Sequence, residues 1–135
     1  MALIDWSDGL SVGVTEFDNH HKKLIEIVNR LHDAMRSGKA SDVIAGVLTE
    51  LINYTKTHFA AEEARMEEHG FGGRAAHIEE HRALVAKVLD FESKFRAKTI
   101  LLSVDILNFL RDWLATHIMK TDKQYGPFFN GKGIR

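Results

Sequence analysis

The sequence contains no cysteine and a single proline. Without cysteine there can be no disulfide, thiolate zinc site, cysteine-ligated iron-sulfur cluster or cysteine nucleophile. Any metal must be held by nitrogen and oxygen. Average usage would place roughly seven prolines in a chain of this length, and the only one, Pro127, lies near the C-terminus, so long helices are unobstructed. Charge of one sign is lacking too: 18 Lys and Arg stand against 19 Asp and Glu, a formal net charge of -1. That balance provides no basic field for nucleic acid or anionic lipid. No apolar run reaches the roughly 18 residues of a membrane span, and the first residues, Met-Ala-Leu-Ile-Asp-Trp, have neither segment of a signal peptide. The expectation is a cytoplasmic protein with no nucleic-acid partner and no membrane insertion.

The chain has 135 residues and 44% hydrophobic content, the size of one domain spanning 1–135. Glycines divide it. Gly9 and Gly13 precede a long glycine-free run that Gly38 closes, and Gly70, Gly72 and Gly73 form the strongest breaker cluster. In the first run Phe17, Leu24, Ile25, Val28, Leu31 and Met35 recur at helical spacing, with Thr15 or Asp18 placed to cap its start. The second carries Val43, Ile44, Val47, Leu48, Leu51, Ile52, Thr55, His58, Phe59, Glu62 and Met66 on one stripe. From Arg74 to Tyr125 there is neither Gly nor Pro. One helix over that stretch would be roughly 78 Å long, far beyond the roughly 14 Å radius of gyration of a compact chain this size, so it must turn. Periodicity does not say where.

Three pairs have the character of metal ligands: His58 with Glu62, His77 with His81, and His117 with Asp122. Residues four apart on a helix share a face, which suits the first two pairs. Residues five apart lie about 140° apart, so His117 and Asp122 converge only if the helix bulges or ends between them. Taken singly, each pair is as well explained by histidines on an exposed helix face. Together they are not, because each continues an apolar stripe, and buried polar side chains need partners. Height along the helices agrees. His21 lies 17 residues before Gly38, His58 lies 17 after Ser41, and a turn near Lys98, between Ala97 and Thr99, sets His117 level with His77 and His81. All candidates then meet in one layer of an all-α, antiparallel up-down-up-down four-helix bundle with an N-terminal arm.

The set is His21, His58, Glu62, His77, His81, His117 and Asp122. Seven ligands are too many for one tetrahedral ion and suit two octahedral ones. If both carboxylates bridge and a further oxygen is shared, eleven of about twelve positions fill and one stays open to a small ligand.

These residues resemble the hemerythrin family, in its bacterial single-domain form. The likeness runs through L-S-V-G-V-T-E-F-D-N-H-H-K-K-L, H-F-A-A-E-E-A-R-M, H-I-E-E-H and W-L-A-T-H-I-M-K-T-D, and covers nearly the whole chain. What the resemblance implies is a centre of two non-haem iron ions (Fe2+/Fe3+) that binds dioxygen reversibly. His77, His81 and His117 would hold one ion, and His21 and His58 the other. Glu62, Asp122 and an oxo or hydroxo oxygen would bridge them, with dioxygen taken on the His21 and His58 side. Phe59, Trp113, Leu114 and Ile118 match the family's oxygen pocket, with Leu24 a weaker candidate and ordinary core packing the other reading of all five. The family often has Gln where this chain has His20. His21 is assigned as the ligand because it shares the face of Phe17, Leu24 and Ile25, while His20 points about 100° away.

The implied role is oxygen storage, transport or delivery by a monomer, with an oxygen-consuming enzyme as a further partner and no catalysis of its own. Ferritin-like oxidase and iron-storage sites use four carboxylates and two histidines, whereas this set has five histidines and two carboxylates. Sensing of oxygen, nitric oxide or redox state would need a partner, since no output domain follows before Arg135. His32 and His69 lie too far along the axis to coordinate. Glu63, Glu67, Glu68, Glu79 and Glu80 are expected on solvated faces, and Trp6 and Tyr125 at the bundle ends.

Overall fold

The computed structural model describes residues 4–39, 41–97 and 104–135. Four helices form the bundle: α1 (Thr15–Arg36), α2 (Ser41–His69), α3 (Arg74–Arg96) and α4 (Val104–Thr116). A π-helical turn (His117–Thr121) and a short 3-10 turn (Asp122–Gln124) carry the chain on into a fifth short helix, α5 (Tyr125–Gly131). There is no strand among the described residues. The turn expected at Lys98 lies outside them, and the flanking helices end at Arg96 and begin at Val104. The glycine cluster turns the chain as expected, with Gly70 at φ 72° just past the end of α2, a conformation that favours glycine.

Each helix buries one stripe. On α3 it is His77, His81, Leu84, Val88 and Phe95, all close to multiples of one turn apart. On α1 it includes Phe17, His21, Leu24, Val28 and Leu31. The polar members occupy the same faces as the apolar ones, so hydrophobic burial of each stripe also drives histidines into the interior. α1 packs on α2 and α2 on α3, and α4 closes the bundle against α1. Phe91 of α3 meets Phe109 of α4 edge to face at 5.8 Å.

The arm before α1 is seated by hydrogen bonds. Neither Thr15 nor Asp18 caps α1, whose N-cap is Val14 with no side-chain bond. The Asp18 carboxylate instead turns back, accepting from the Val12 amide at 2.8 Å and the Ser11 hydroxyl at 2.6 Å. Asn130 donates to the Gly13 carbonyl at 2.9 Å, fastening the arm to the end of α5. Leu10, Val12 and Val14 thereby join Phe17, Tyr125 and Phe129 in the core. Pro127 lies in the first turn of α5, where a missing amide proton removes no helical bond.

Candidate metal centre

Asp122 reaches the interior through the π-helical turn. Its amide bonds back to the carbonyls of His117 and Ile118, so one wider turn lies between His117 and Asp122. The bulge required by a five-residue spacing is thus present, and both side chains face the same interior. His21 comes from α1, His58 and Glu62 from α2, and His77 and His81 from α3. All seven are buried, none more than 4% exposed.

The seven form two groups. Glu62, His77, His81, His117 and Asp122 each offer a ligand atom within 4.8 Å of the others, and so do His21, His58, Glu62 and Asp122. The carboxylates are common to both. Asp122 divides its oxygens between them: Oδ1 lies 2.9 Å from Nε2 of both His77 and His117, and Oδ2 lies 3.0 Å from Nε2 of His21. Glu62 Oε1 stands 3.4 Å from His58 Nε2 and 3.3 Å from His81 Nε2.

Close as they are, these atoms meet as charge partners, carboxylate against imidazole, and not with the alignment of hydrogen bonds. Among the described residues, Nε2 of all five histidines, Oε1 of Glu62 and both oxygens of Asp122 are buried without a hydrogen-bond partner. An unsatisfied buried polar group costs about 1–3 kcal/mol, and so many in one place make little sense for a folded core unless a cation completes it. Imidazole and carboxylate are the donors that divalent and trivalent transition metals take. The residues present therefore fit a metal centre.

Charge in the metal-free centre is arranged by the same contacts. For His21 and His77, burial works against the charged form, but the carboxylates of Asp122 and Glu62 outweigh it and raise both pKa values to about 9. Burial wins at His58, which is held down to about 4 and is neutral at pH 7. Burial would raise Asp122 and Glu62, yet the surrounding histidines keep both carboxyls below their usual range.

Around the seven lies a set of supports. His81 Nδ1 stands 2.8 Å from the Glu63 carboxylate, which fixes its tautomer with Nε2 free. Glu80 accepts from the Thr121 hydroxyl at 3.0 Å and lies 3.4 Å from His117 Nδ1. Glu63 is therefore half-buried rather than solvated, whereas Glu80 is exposed, as expected, while touching Thr121 and His117, and Glu67, Glu68 and Glu79 are exposed. Tyr125, expected at a bundle end, is fully buried, and its hydroxyl donates to Glu62 Oε2. Nothing in the local sequence marks a helix-end tyrosine as a partner for a glutamate 63 residues away. Trp6 is half-buried, with Lys22 over its ring at 5.0 Å. His32 and His69 are half-buried and absent from both ligand groups.

A small cavity of about 30 Å³ lies one helical turn from His21 and His58, walled by Leu24, Leu51, Thr55, Phe59, Trp113 and Leu114 among others. Phe59 stacks on His81 at 3.6 Å, and Trp113 on His117 at 4.4 Å, so two of its walls are also braces for histidines. Phe59, Trp113 and Leu114 thus line the cavity, as does Leu24. Ile118 is fully buried but is not part of its wall. With Thr55 its one polar wall residue among those named, the cavity favours a small apolar guest over water.

The family model of the hemerythrin HHE cation binding domain matches residues 12–129. A bacteriohemerythrin of Methylococcus capsulatus is 41% identical over 130 residues, covering 94% of this chain and 97% of the relative. One from Pseudomonas aeruginosa is 37% identical over 125 residues, covering 93% and 80%. A crystal structure of wild-type hemerythrin superimposes with a TM-score of 0.89 at 38% identity, covering 93% of this chain and 97% of that one. A bundle whose buried stripes converge on two donor groups, with a sequence match through all of them, shows that this chain belongs to the hemerythrin family.

Proposed function

We propose that this protein binds dioxygen reversibly at a pair of non-haem iron ions, for storage, transport or delivery. The observation that carries the reading is the pairing of two donor groups that share Glu62 and Asp122 but differ in number, five donors against four. His77, His81 and His117 would hold one ion, and His21 and His58 the other. Glu62, Asp122 and an oxo or hydroxo oxygen would link them. The ferrous pair, when bound, supplies the two electrons that reversible association with dioxygen needs. The chain provides the rest: it leaves the His21 and His58 side one donor short and sets an apolar cavity one turn from that side, walled by Phe59, Trp113 and Leu114, side chains that would hold water off. Dryness favours release of dioxygen over its irreversible reduction. The protein would act as a monomer in the cytoplasm and hand its oxygen to an oxygen-consuming enzyme.

The test is an anaerobic oxygen titration of the iron-loaded, reduced protein. We expect about two irons per chain and a visible absorption that appears with oxygen and disappears on its removal. One-way oxidation with no reversible form would overturn the reading. Leu114→Ala is expected to speed the decay of the oxygenated form several-fold, since the truncation opens the cavity wall to water. The decay of visible absorption at a temperature where the variant is folded measures this, and an unchanged rate removes Leu114 from the barrier.

Loading should also be coupled to protons. His21 and His77 carry protons at pH 7 in the metal-free protein and must lose them to become ligands, so filling the centre should release about two protons from this pair. Titration calorimetry in buffers of different ionisation enthalpy reads this number, which should fall as pH passes about 9. The stability of the metal-free protein runs the opposite way. The raised histidines contribute fully below about 6.5 and lose their contribution as pH climbs through about 9. The depressed carboxylates contribute above about 4.5 and lose it in acid. His58 works the other way below about 6.5, where the unfolded chain takes up a proton that the buried ring refuses until about 4, so unfolding by denaturant should show the metal-free protein most stable near pH 6.5.

A further inference from the structure

The two adjacent histidines of α1 serve different ends. His21 is buried in the second donor group, whereas His20, about 100° round the helix, is half-buried and sets its Nδ1 2.8 Å from Nδ1 of His58 on α2. The two rings stand perpendicular, with centroids 4.9 Å apart. Phe17 lies against the His20 ring at 5.9 Å and Tyr54 at 6.1 Å, so its orientation is set from two sides. At the other end of the His58 ring, Nε2 lies among the donors of the second group and makes no hydrogen bond.

Two ring nitrogens at this distance share one proton, and which ring owns it matters. If His20 donated, the His58 proton would sit on Nε2, inside the donor group, and that nitrogen could not act as a ligand. If His58 donates from Nδ1, its Nε2 turns a lone pair inward. We propose that His20 is a positioning residue: by accepting the His58 Nδ1 proton it holds His58 in the tautomer that presents Nε2 to the centre. His81 is held the same way by Glu63, but a carboxylate can only accept, so no choice arises there. The two sides are thus braced by different chemistry, a charged acceptor behind His81 and a neutral one behind His58. A hydrogen bond to a charged acceptor is roughly twice as strong as one to a neutral acceptor, so His58 is the less firmly held of the two.

The consequence for metal affinity rests on the di-iron reading, but the tautomer is a property of the metal-free chain and can be tested without it. Long-range nitrogen-proton NMR of the metal-free protein reads which ring nitrogen of His58 carries the proton. Ferrous iron competed against a chelator reads affinity. We expect Nδ1 protonation in the wild type. His20→Phe keeps a ring but removes the acceptor, and should move part of the His58 population to the Nε2 tautomer and weaken iron binding on the His21 and His58 side about tenfold or more. His20→Asn, whose amide oxygen stands close to where the histidine Nδ1 was, should restore both. Circular dichroism confirms the fold of each variant. A wild-type proton on Nε2, or a His20→Phe protein with unchanged nitrogen pattern and affinity, would overturn the proposal, as would equal loss in both variants, which marks a steric role. A wild type that binds no iron would sink the di-iron reading while the nitrogen pattern still decided this one.

Discussion

Asp122→Asn is expected to lower the iron content of the reconstituted protein from about two per chain to below one. Asp122 is the carboxylate most closely shared, with one oxygen 2.9 Å from His77 and His117 and the other 3.0 Å from His21. An amide nitrogen has no lone pair to offer, so the side chain can serve only one ion, and without its charge it serves that one weakly. The substitution is nearly isosteric, and the fold should survive. Elemental analysis after anaerobic loading and gel filtration gives the stoichiometry, with His32→Ala as the comparison that should retain both ions. Two irons in the Asn variant would remove Asp122 from the centre. The change should also reduce proton release on loading, because Asp122 helps to hold His21 and His77 protonated.

Gly126→Ala should be the most damaging small substitution to the fold. An added Cβ would sit 2.2 Å from the carbonyl oxygen of Val12, a backbone atom of the docked arm that no rotamer change can move aside. Relief requires lifting the arm or shifting α5, and either uncovers the contacts of Leu10, Val12 and Val14 with Phe17 and Tyr125. A loss of about 3 kcal/mol and a fall in melting temperature of about 10 °C are expected by thermal denaturation of the metal-free protein. Gly46→Ala provides the contrast. Among the described residues nothing lies within 4 Å of an added Cβ and the site is exposed within α2, so a gain of about 0.5–1 kcal/mol should follow. If both variants melted alike, the arm would not be clamped at Gly126.

The bundle was legible because its pattern is local. Apolar residues at helical spacing, breakers at Gly38 and Gly70 to Gly73, and the want of proline between them define helices that agree with those observed. The convergence of the seven polar residues was legible for the same reason: His77 and His81 belong to the stripe that continues into Leu84 and Val88, so whatever buries the leucine buries the histidines. Even the distortion at His117 was implied by a spacing of five, which an unbroken helix cannot bring to one face.

Contacts between distant segments were less legible. Asp18 had the look of a cap and is instead the anchor of the arm, because its carboxylate finds amide and hydroxyl donors that lie before the helix. Glu63 had the look of a solvent-facing residue on an acidic run. What distinguishes it from Glu67 and Glu68 is the proximity of His81 on the next helix, which no pattern within α2 encodes. Leu51 and Thr55, which no pattern within α2 singles out, form part of the cavity wall beside Phe59, Trp113 and Leu114.

The sequence by itself determined the fold class and family, and the residue types and helical faces on which a metal centre could be built, since these follow from periodicity and from the donors each side chain carries. Tertiary structure alone decided which partners stand behind those residues: Tyr125 on Glu62, Glu63 on His81 and His20 on His58. The physical reason is range. Helical faces arise from neighbours three and four residues apart, whereas a hydrogen bond depends on the rotation of one packed helix against another to within a fraction of an ångström.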